Sequence, residues 1–370
     1  MAGTIKKLAD GKYQVRFRDG DGRQVAKRFK LRKEAQNWLD EQVAALVRGD
    51  YVDPSASKVT FRAYAEKWRA AQLHHRDGTA DHIESRLRLH VYPVIGGRQI
   101  GTLRRTDIQT VVTTASKTLA PSTVRLIYSL VATILNSAVM DQHIARTPCV
   151  RINLPEVVDK KVSPLTIEQL EAIVAALPER YRAMAIVGAA TGMRSGELRG
   201  LTLDRISPAL FPRGLRMPET VTITVDRQLI RTRERVPQFG PPKTPRADRL
   251  VTIGVSTIKV LVEHLETYGT GPEGLIFSSR VGGPIERSAA GGVWQRVAAD
   301  LGLPARSGWH DLRHFHASLL IADGRSVRAV ADRLGHADVA ETLRTYAHLW
   351  PNDEERSVSA TEAAIGHLSA

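Results

Sequence analysis

Hydrophobic and polar positions divide this chain into stretches of different period. In "KYQVRFR", Tyr13, Val15 and Phe17 alternate with Gln14, Arg16 and Arg18, the two-residue period of a half-buried strand. "DGDG" at 19–22 predicts a hairpin turn, and "RQVAKRFK" returns as a second strand. A helical stripe follows through Leu31, Ala35, Trp38, Leu39 and Leu46. Residues 1–55 thus read as a β-hairpin or small sheet with one helix, and the Pro- and Ser-containing "YVDPSASK" at 51–58 as the linker leaving it.

From 58 the period is helical. Phe61, Tyr64, Ala65 and Trp68 follow i, i+3, i+4, i+7, and "ADHIESRLRLHV" predicts a second helix stopped by Pro93. "RTDIQTVVTTA" is a third, and "PSTVRLIYSLVATILNSAVM" a long fourth with Pro121 and Ser122 at its start. Residues 58–152 therefore form an all-helical domain. "INLPEVVDKKVSPL" at 152–165 is a second linker. Beyond it the pattern is mixed. Thr166 caps a helix, Gly192 breaks a buried one, and "ETVTITVDRQLI", "DRLVTI" and "LIFSS" read as strands before helices resume. Residues 165–350 are an α+β domain, and 351–370 a weakly amphipathic tail. The fold class is multidomain and mainly α with small β-sheets.

Charge narrows the partner. The chain's 370 residues carry 53 Lys and Arg against 39 Asp and Glu, a net +14, with a pI near 10.1. Such a field favours a polyanion, nucleic acid above all. Residues 1–50 share the excess, and Arg16, Arg18, Lys27 and Arg28 are candidate DNA contacts on a sheet that could enter a groove; an ordinary solvated face is the bland alternative. The single cysteine, Cys149, excludes an internal disulfide and a cysteine-based zinc site. No uninterrupted apolar run approaches about 18 residues, and the N-terminus lacks a secretory apolar core, so a cytoplasmic protein is expected.

Four stretches could carry chemistry. "GWHDLRHFH" puts His310, Arg313 and His314 at helical spacing on one face. His-Asp-x-x-His is one methylene from a zinc signature, but a guanidinium on the same face opposes a dication, so no metal is expected. In "TGMRSGEL", Arg194 follows a glycine turn and Glu197 stands three on, able to pin it. Lys243 in "GPPKTPRADR" is a cation able to give up a proton. In "LGHADVAETLRTYAHL", Gly335 ends one helix, Asp338 and Glu341 open the next, His336 lies in the turn and Tyr346 on the second helix. Alone, each has a plain structural reading: an ion pair, a solvated tip, a filler tyrosine.

Together these motifs, in this order, resemble the tyrosine recombinases, the phage integrase family, over about 59–350, with "FRAYAEKW" and "RLRLHVYPVIG" similar to that family's core-binding domain. The N-terminal module is similar to the arm-binding domains of lambda-like integrases, by pattern rather than motif. The resemblance implies a site-specific recombinase that integrates and excises a phage or mobile element without metal or ATP. Tyr346 would attack the scissile phosphate to give a 3′-phosphotyrosine. Arg194 and Arg313 would clamp its oxygens, Lys243 would protonate the leaving 5′-oxygen, and His310 would act as acid/base near the tyrosine hydroxyl. His336 would bond the phosphate and Glu197 would support the site. The resemblance also implies double-stranded attachment sites, a homotetramer on two DNA sites with residues 351–370 packing between protomers, an excisionase and a DNA-bending protein as partners, and association with the nucleoid. A resolvase or transposon recombinase of the same family is an alternative, as is a regulator that binds DNA without cutting it.

Overall fold

The computed structural model describes residues 3–19, 22–49, 51–52, 55–158, 161–208, 210, 217–231, 236–242, 245–350 and 354–368. Two compact units make up the chain, Met1–Val158 and Asp159–Ala370.

The first unit opens with a three-stranded antiparallel sheet, Thr4–Lys7, Tyr13–Arg18 and Gln24–Phe29 in that order, against the helix Arg32–Arg48. Alternation decides which side is dry. Val15 and Phe17 are buried with Ala35 and Leu39, and Trp38 packs beside Phe17 and Phe29. The strand Thr4–Lys7 is invisible to periodicity, since its four residues are too few to show a period. Gly20 and Asp21 of the expected turn lie outside the described residues.

Helices follow, around a core of their own. Thr60 caps Phe61–Ala70 by accepting from the Ala63 N–H. Tyr64 donates to Asp141 at 2.7 Å and Trp68 to Ser137 at 3.1 Å, tying this helix to Pro121–Met140. By length and apolar content Pro121–Met140 could cross a membrane, but its stripe of Val124, Ile127, Val131, Ile134 and Leu135 is consumed inside this domain. One expectation is corrected. Asp77–Arg86 does not stop at Pro93 but runs on into a π-helix, Leu87–Gly96. Proline cannot serve the ordinary ladder and its ring collides with the carbonyl four residues back. Wider turns relieve that collision and keep Leu87, Val91, Tyr92 and Ile95 in the core. The start of the second linker is strapped down rather than loose: Arg105 donates to Arg151 O at 2.7 Å and Arg125 to Pro155 O at 2.9 Å.

In the second unit, helices Ile167–Ala176, Glu179–Thr191, Val255–Tyr268, Arg287–Asp300 and Asp311–Ala322 enclose a core that includes the inner face of a sheet. That sheet pairs Ile206–Ser207, Thr220–Val225 and Arg249–Gly254. Two strand expectations change. "ETVTITVDRQLI" is two strands in different sheets, Thr220–Val225 and Gln228–Arg231, broken where Asp226 pairs with Arg205 and Arg227 with Asp204. "LIFSS" makes only isolated bridges, Leu275 to Thr202 and Ser278 to Pro284. The segment 211–216 and residues 351–353 lie outside the described residues. The tail forms the helix Glu354–Ile365, with Val358 and Ile365 exposed.

Candidate active site

Two glycines build the frame. Gly192 caps Glu179–Thr191 in the left-handed conformation at φ 65°, and a Cβ there would meet His316 and Leu334 at 2.8 Å. The turn leaves Arg194 as the residue opening the short helix Ser195–Arg199. Gly335, also left-handed at φ 68°, ends Val327–Leu334 and lays its carbonyl in range of Arg194 Nη2, which donates to it at 3.2 Å.

Glu197 is the anchor of the cluster. Its Oε1 accepts from Arg194 Nη1 at 3.0 Å, and its Oε2 from the Arg194 N–H at 2.9 Å and from Arg249 Nη2 at 3.0 Å. Burial pushes the Glu197 carboxyl up, but Arg249 and then Arg194 outweigh it and hold it below the usual carboxylate range. Arg249 is held further by the carbonyls of Arg333 and Ala247. Sequence reasoning missed this residue. A signal was present: Arg249 is in phase with Val251 and Ile253, so an arginine occupies a core-facing strand position.

Arg313, on the helix Asp311–Ala322, is 2% exposed. Its Nη1 donates to Gly192 O at 2.9 Å, while its Nη2 is buried without a partner. Burial, then Arg194 and Arg249, drive its pKa down to about 9. A buried cation with an empty donor is costly unless an anion completes it.

Tyr346 ends Val339–Tyr346 and is 1% exposed. Burial raises its hydroxyl to about 12, against the opposing pull of Arg313. The His336 ring lies nearly parallel to it, centroids 6.5 Å apart, and His336 Nδ1 is 2.6 Å from Thr342 Oγ1. Burial and the surrounding arginines keep His336 neutral, at about 3.

A second histidine joins the cluster: His314 Nδ1 lies 2.8 Å from the Tyr346 hydroxyl. Helical spacing placed His310 and His314 on one face, but the helix begins at Asp311. His310 precedes its first turn, is exposed, and sets its ring edge-on to His314 at 4.7 Å. His316 reaches Ala189 O at 2.9 Å. Lys243 lies outside the described residues. Among the described residues no three His, Cys, Asp or Glu side chains gather as a metal cluster.

The N-terminal basic residues separate. Register pairs Arg16 with Ala26, Gln14 with Arg28 and Arg18 with Gln24, so Arg16, Arg18 and Arg28 share the outer face, with Lys6 opposite Gln14. Lys27 stands opposite Val15, on the helix side, its ammonium over the rings of Phe29 and Trp38 at 5.3 and 5.2 Å. It does not belong to the outer basic face.

Residues 209–353 match the model of the phage integrase family, and residues 61–154 that of the phage integrase central domain. The chain is 25% identical over 375 residues to an integrase of Mycobacterium phage D29, covering 98% of this chain and 97% of that protein. It is 26% identical over 389 residues to a XerC-like tyrosine recombinase of Caldanaerobacter subterraneus subsp. tengcongensis, covering 97% and 98%. In three dimensions it resembles the Tn1549 transposon integrase solved with a circular intermediate DNA, with a TM-score of 0.69 at 19% identity over 83% of this chain and 99% of that one. It also resembles a lambda integrase solved as a tetramer on a Holliday junction, with a TM-score of 0.58 at 17% identity over 92% and 97%.

Proposed function

This chain belongs to the phage integrase family of tyrosine recombinases and is a site-specific DNA recombinase; we propose that Tyr346 is its nucleophile, served by Arg194, Arg313, Lys243, His310 and His336. The observation that carries this assignment is the unpaired Nη2 of buried Arg313, in a cluster with Arg194 and Arg249 beside the Tyr346 ring. Forked donors in a dry site suit the non-bridging oxygens of a phosphodiester. They act most strongly as charge builds during attack.

The Tyr346 oxygen bonds to phosphorus as the P–O5′ bond breaks, leaving a 3′-phosphotyrosine and a 5′-hydroxyl. Lys243 supplies the proton to the leaving oxygen. His336, oriented through Thr342, turns its other nitrogen to the phosphate. His310, edge-on to His314, serves as acid/base near the Tyr346 hydroxyl. Glu197 and Arg249 hold Arg194 in place. The outer face of the N-terminal sheet, with Lys6, Arg16, Arg18 and Arg28, binds DNA at arm-type sites. Exposed Val358 and Ile365 on the tail helix pack against a second protomer in a tetramer. The expected setting is the nucleoid of a bacterial cytoplasm, with an excisionase and a DNA-bending protein as helpers.

A nicked suicide substrate tests the assignment. The wild-type protein is expected to trap a covalent protein–DNA adduct in EDTA, and Tyr346→Phe to bind the same DNA and trap none. An adduct that persists in Tyr346→Phe refutes the nucleophile.

A further inference from the structure

We infer that His316 is a positioning residue for strand cleavage: it caps the helix that ends at Gly192, accepts from Arg333, and so holds Arg194 and Arg313 in register on the scissile phosphate. This inference rests on the reading of those two arginines as the phosphate clamp. His316 follows Arg313 by three positions on Asp311–Ala322, so the two side chains share a face. That face meets the end of Glu179–Thr191. Arg313 Nη1 donates to Gly192 O at 2.9 Å, and His316 Nδ1 lies 2.9 Å from Ala189 O. The ring also fills the space at the turn, where a Cβ on Gly192 would meet His316 Cδ2 at 2.8 Å.

The neighbours fix the tautomer. A carbonyl can only accept, so Nδ1 carries the proton and Nε2 keeps a lone pair. Arg333 Nε donates to that nitrogen at 3.4 Å. Burial and the nearby arginines keep the ring neutral, at about 4. Arg333 reaches on to the strand Arg249–Gly254: its Nη2 donates to Thr252 O at 2.9 Å, and its own carbonyl accepts from Arg249 Nε at 3.0 Å. One imidazole thus joins the helix of Arg313, the turn that delivers Arg194, and the helix whose last residues hold Arg249.

The consequence falls on Arg313. The last carbonyls of a helix lack ladder donors and need partners from elsewhere. His316 satisfies Ala189 O, Arg313 gives Nη1 to Gly192 O, and Arg313 Nη2 stays buried without a partner. A bare Ala189 O at the same helix end would compete with phosphate for that donor.

The test is single-turnover cleavage of a suicide substrate by the full chain at saturating DNA, on two scissile groups. One is the natural phosphodiester. The other is a methylphosphonate, in which a methyl replaces one charged non-bridging oxygen and lightens the demand on the clamp. His316→Phe keeps a ring and loses both hydrogen bonds. It should slow adduct formation on the phosphodiester about 100-fold, the scale of a small misplacement of catalytic groups, with DNA affinity within about twofold of wild type. On the methylphosphonate the defect should shrink to about tenfold or less, which a general loosening of the fold would not produce. His316→Asn places an amide N–H at the Nδ1 position and should recover at least about tenfold of the loss. Should His316→Phe melt too low to assay, Arg333→Met removes the partner of the other ring nitrogen and carries the same comparison, about tenfold slow on the phosphodiester and within about threefold of wild type on the methylphosphonate. Wild-type rates in His316→Phe, an equal defect on both substrates, or no recovery in His316→Asn would each overturn the assignment. Arg313→Met is run alongside. If the methylphosphonate does not relieve its defect, the clamp reading itself fails; if it does, and the His316→Phe defect is not relieved, only the positioning role fails.

Discussion

Replacing Arg313 with methionine should make the second unit more stable while abolishing strand cleavage. Burial and the two neighbouring guanidiniums pull Arg313 from the ordinary guanidinium range down to about 9. Both values lie above neutral pH, so the cation is charged in folded and unfolded states alike and the whole shift is a folding penalty at pH 7. At about 1.36 kcal/mol per unit the penalty is about 5 kcal/mol. It lessens only as pH rises through about 9, where the folded protein first loses the proton. Methionine fills similar space without charge, but it strands Gly192 O, whose bond to a charged donor is worth about 1.5–3 kcal/mol. A net gain of about 2 kcal/mol remains. In a domain of this size each kcal/mol moves the melting temperature by about 2–4 °C, so a rise of about 4–8 °C is expected. Differential scanning fluorimetry of the DNA-free protein measures it, and the suicide-substrate assay measures the loss of adduct. A fall in melting temperature would show that Arg313 is already satisfied without phosphate, and the argument from its empty donor would collapse.

Three further outcomes are expected. Glu197→Gln keeps shape but removes the buried charge between Arg194 and Arg249, and should cost about 3–5 kcal/mol and lower the melting temperature by about 6–20 °C, with cleavage lost in proportion; an unchanged melting curve would contradict the anchor role. Deleting residues 1–55 should abolish binding to distal arm-type sites in a gel-shift assay while binding to the core site survives; loss of core binding too would defeat that division. His316 and His336 are held neutral at about 4 and 3, against 6.5 unfolded, so the unfolded chain takes up protons first as pH falls. Stability is therefore complete above about 6.5 and lost from there downward. His316→Asn should flatten the fall in melting temperature between pH 6.5 and 4; an unaltered slope would place the effect elsewhere.

Periodicity located the elements well where one face is dry. Phe61, Tyr64 and Ala65 are buried as their spacing predicts, and Gly192 and Gly335 end helices as their residue type predicts. It failed where local geometry departs from the ideal element. An α-helix cannot carry Pro93, so the sequence predicts a stop there, and the chain changes helix type instead. Among the site residues, Arg194 and Glu197 were legible because three positions of sequence separate them. Arg249 was not, because its partner is 52 positions away and only the sheet brings it inward. The contact of His314 with the Tyr346 hydroxyl was illegible for the same reason. Spacing says which residues share a face, not where the helix begins, and a start at Asp311 turns His310 outward. Tyr346 is 32 positions from His314, a closeness that no periodicity encodes.

Glu197 serves two arginines with one carboxylate. Positions 194, 197 and 249 therefore cannot drift one at a time: losing the acid strands two cations, and losing Arg249 leaves a buried acid short of its stronger counter-ion. In lineages descending from this chain the three should be inherited as a block. A neutral path out of the trio would need simultaneous change at sites 52 positions apart, so this corner of the protein is held by its internal charge balance as much as by selection on the DNA it cuts.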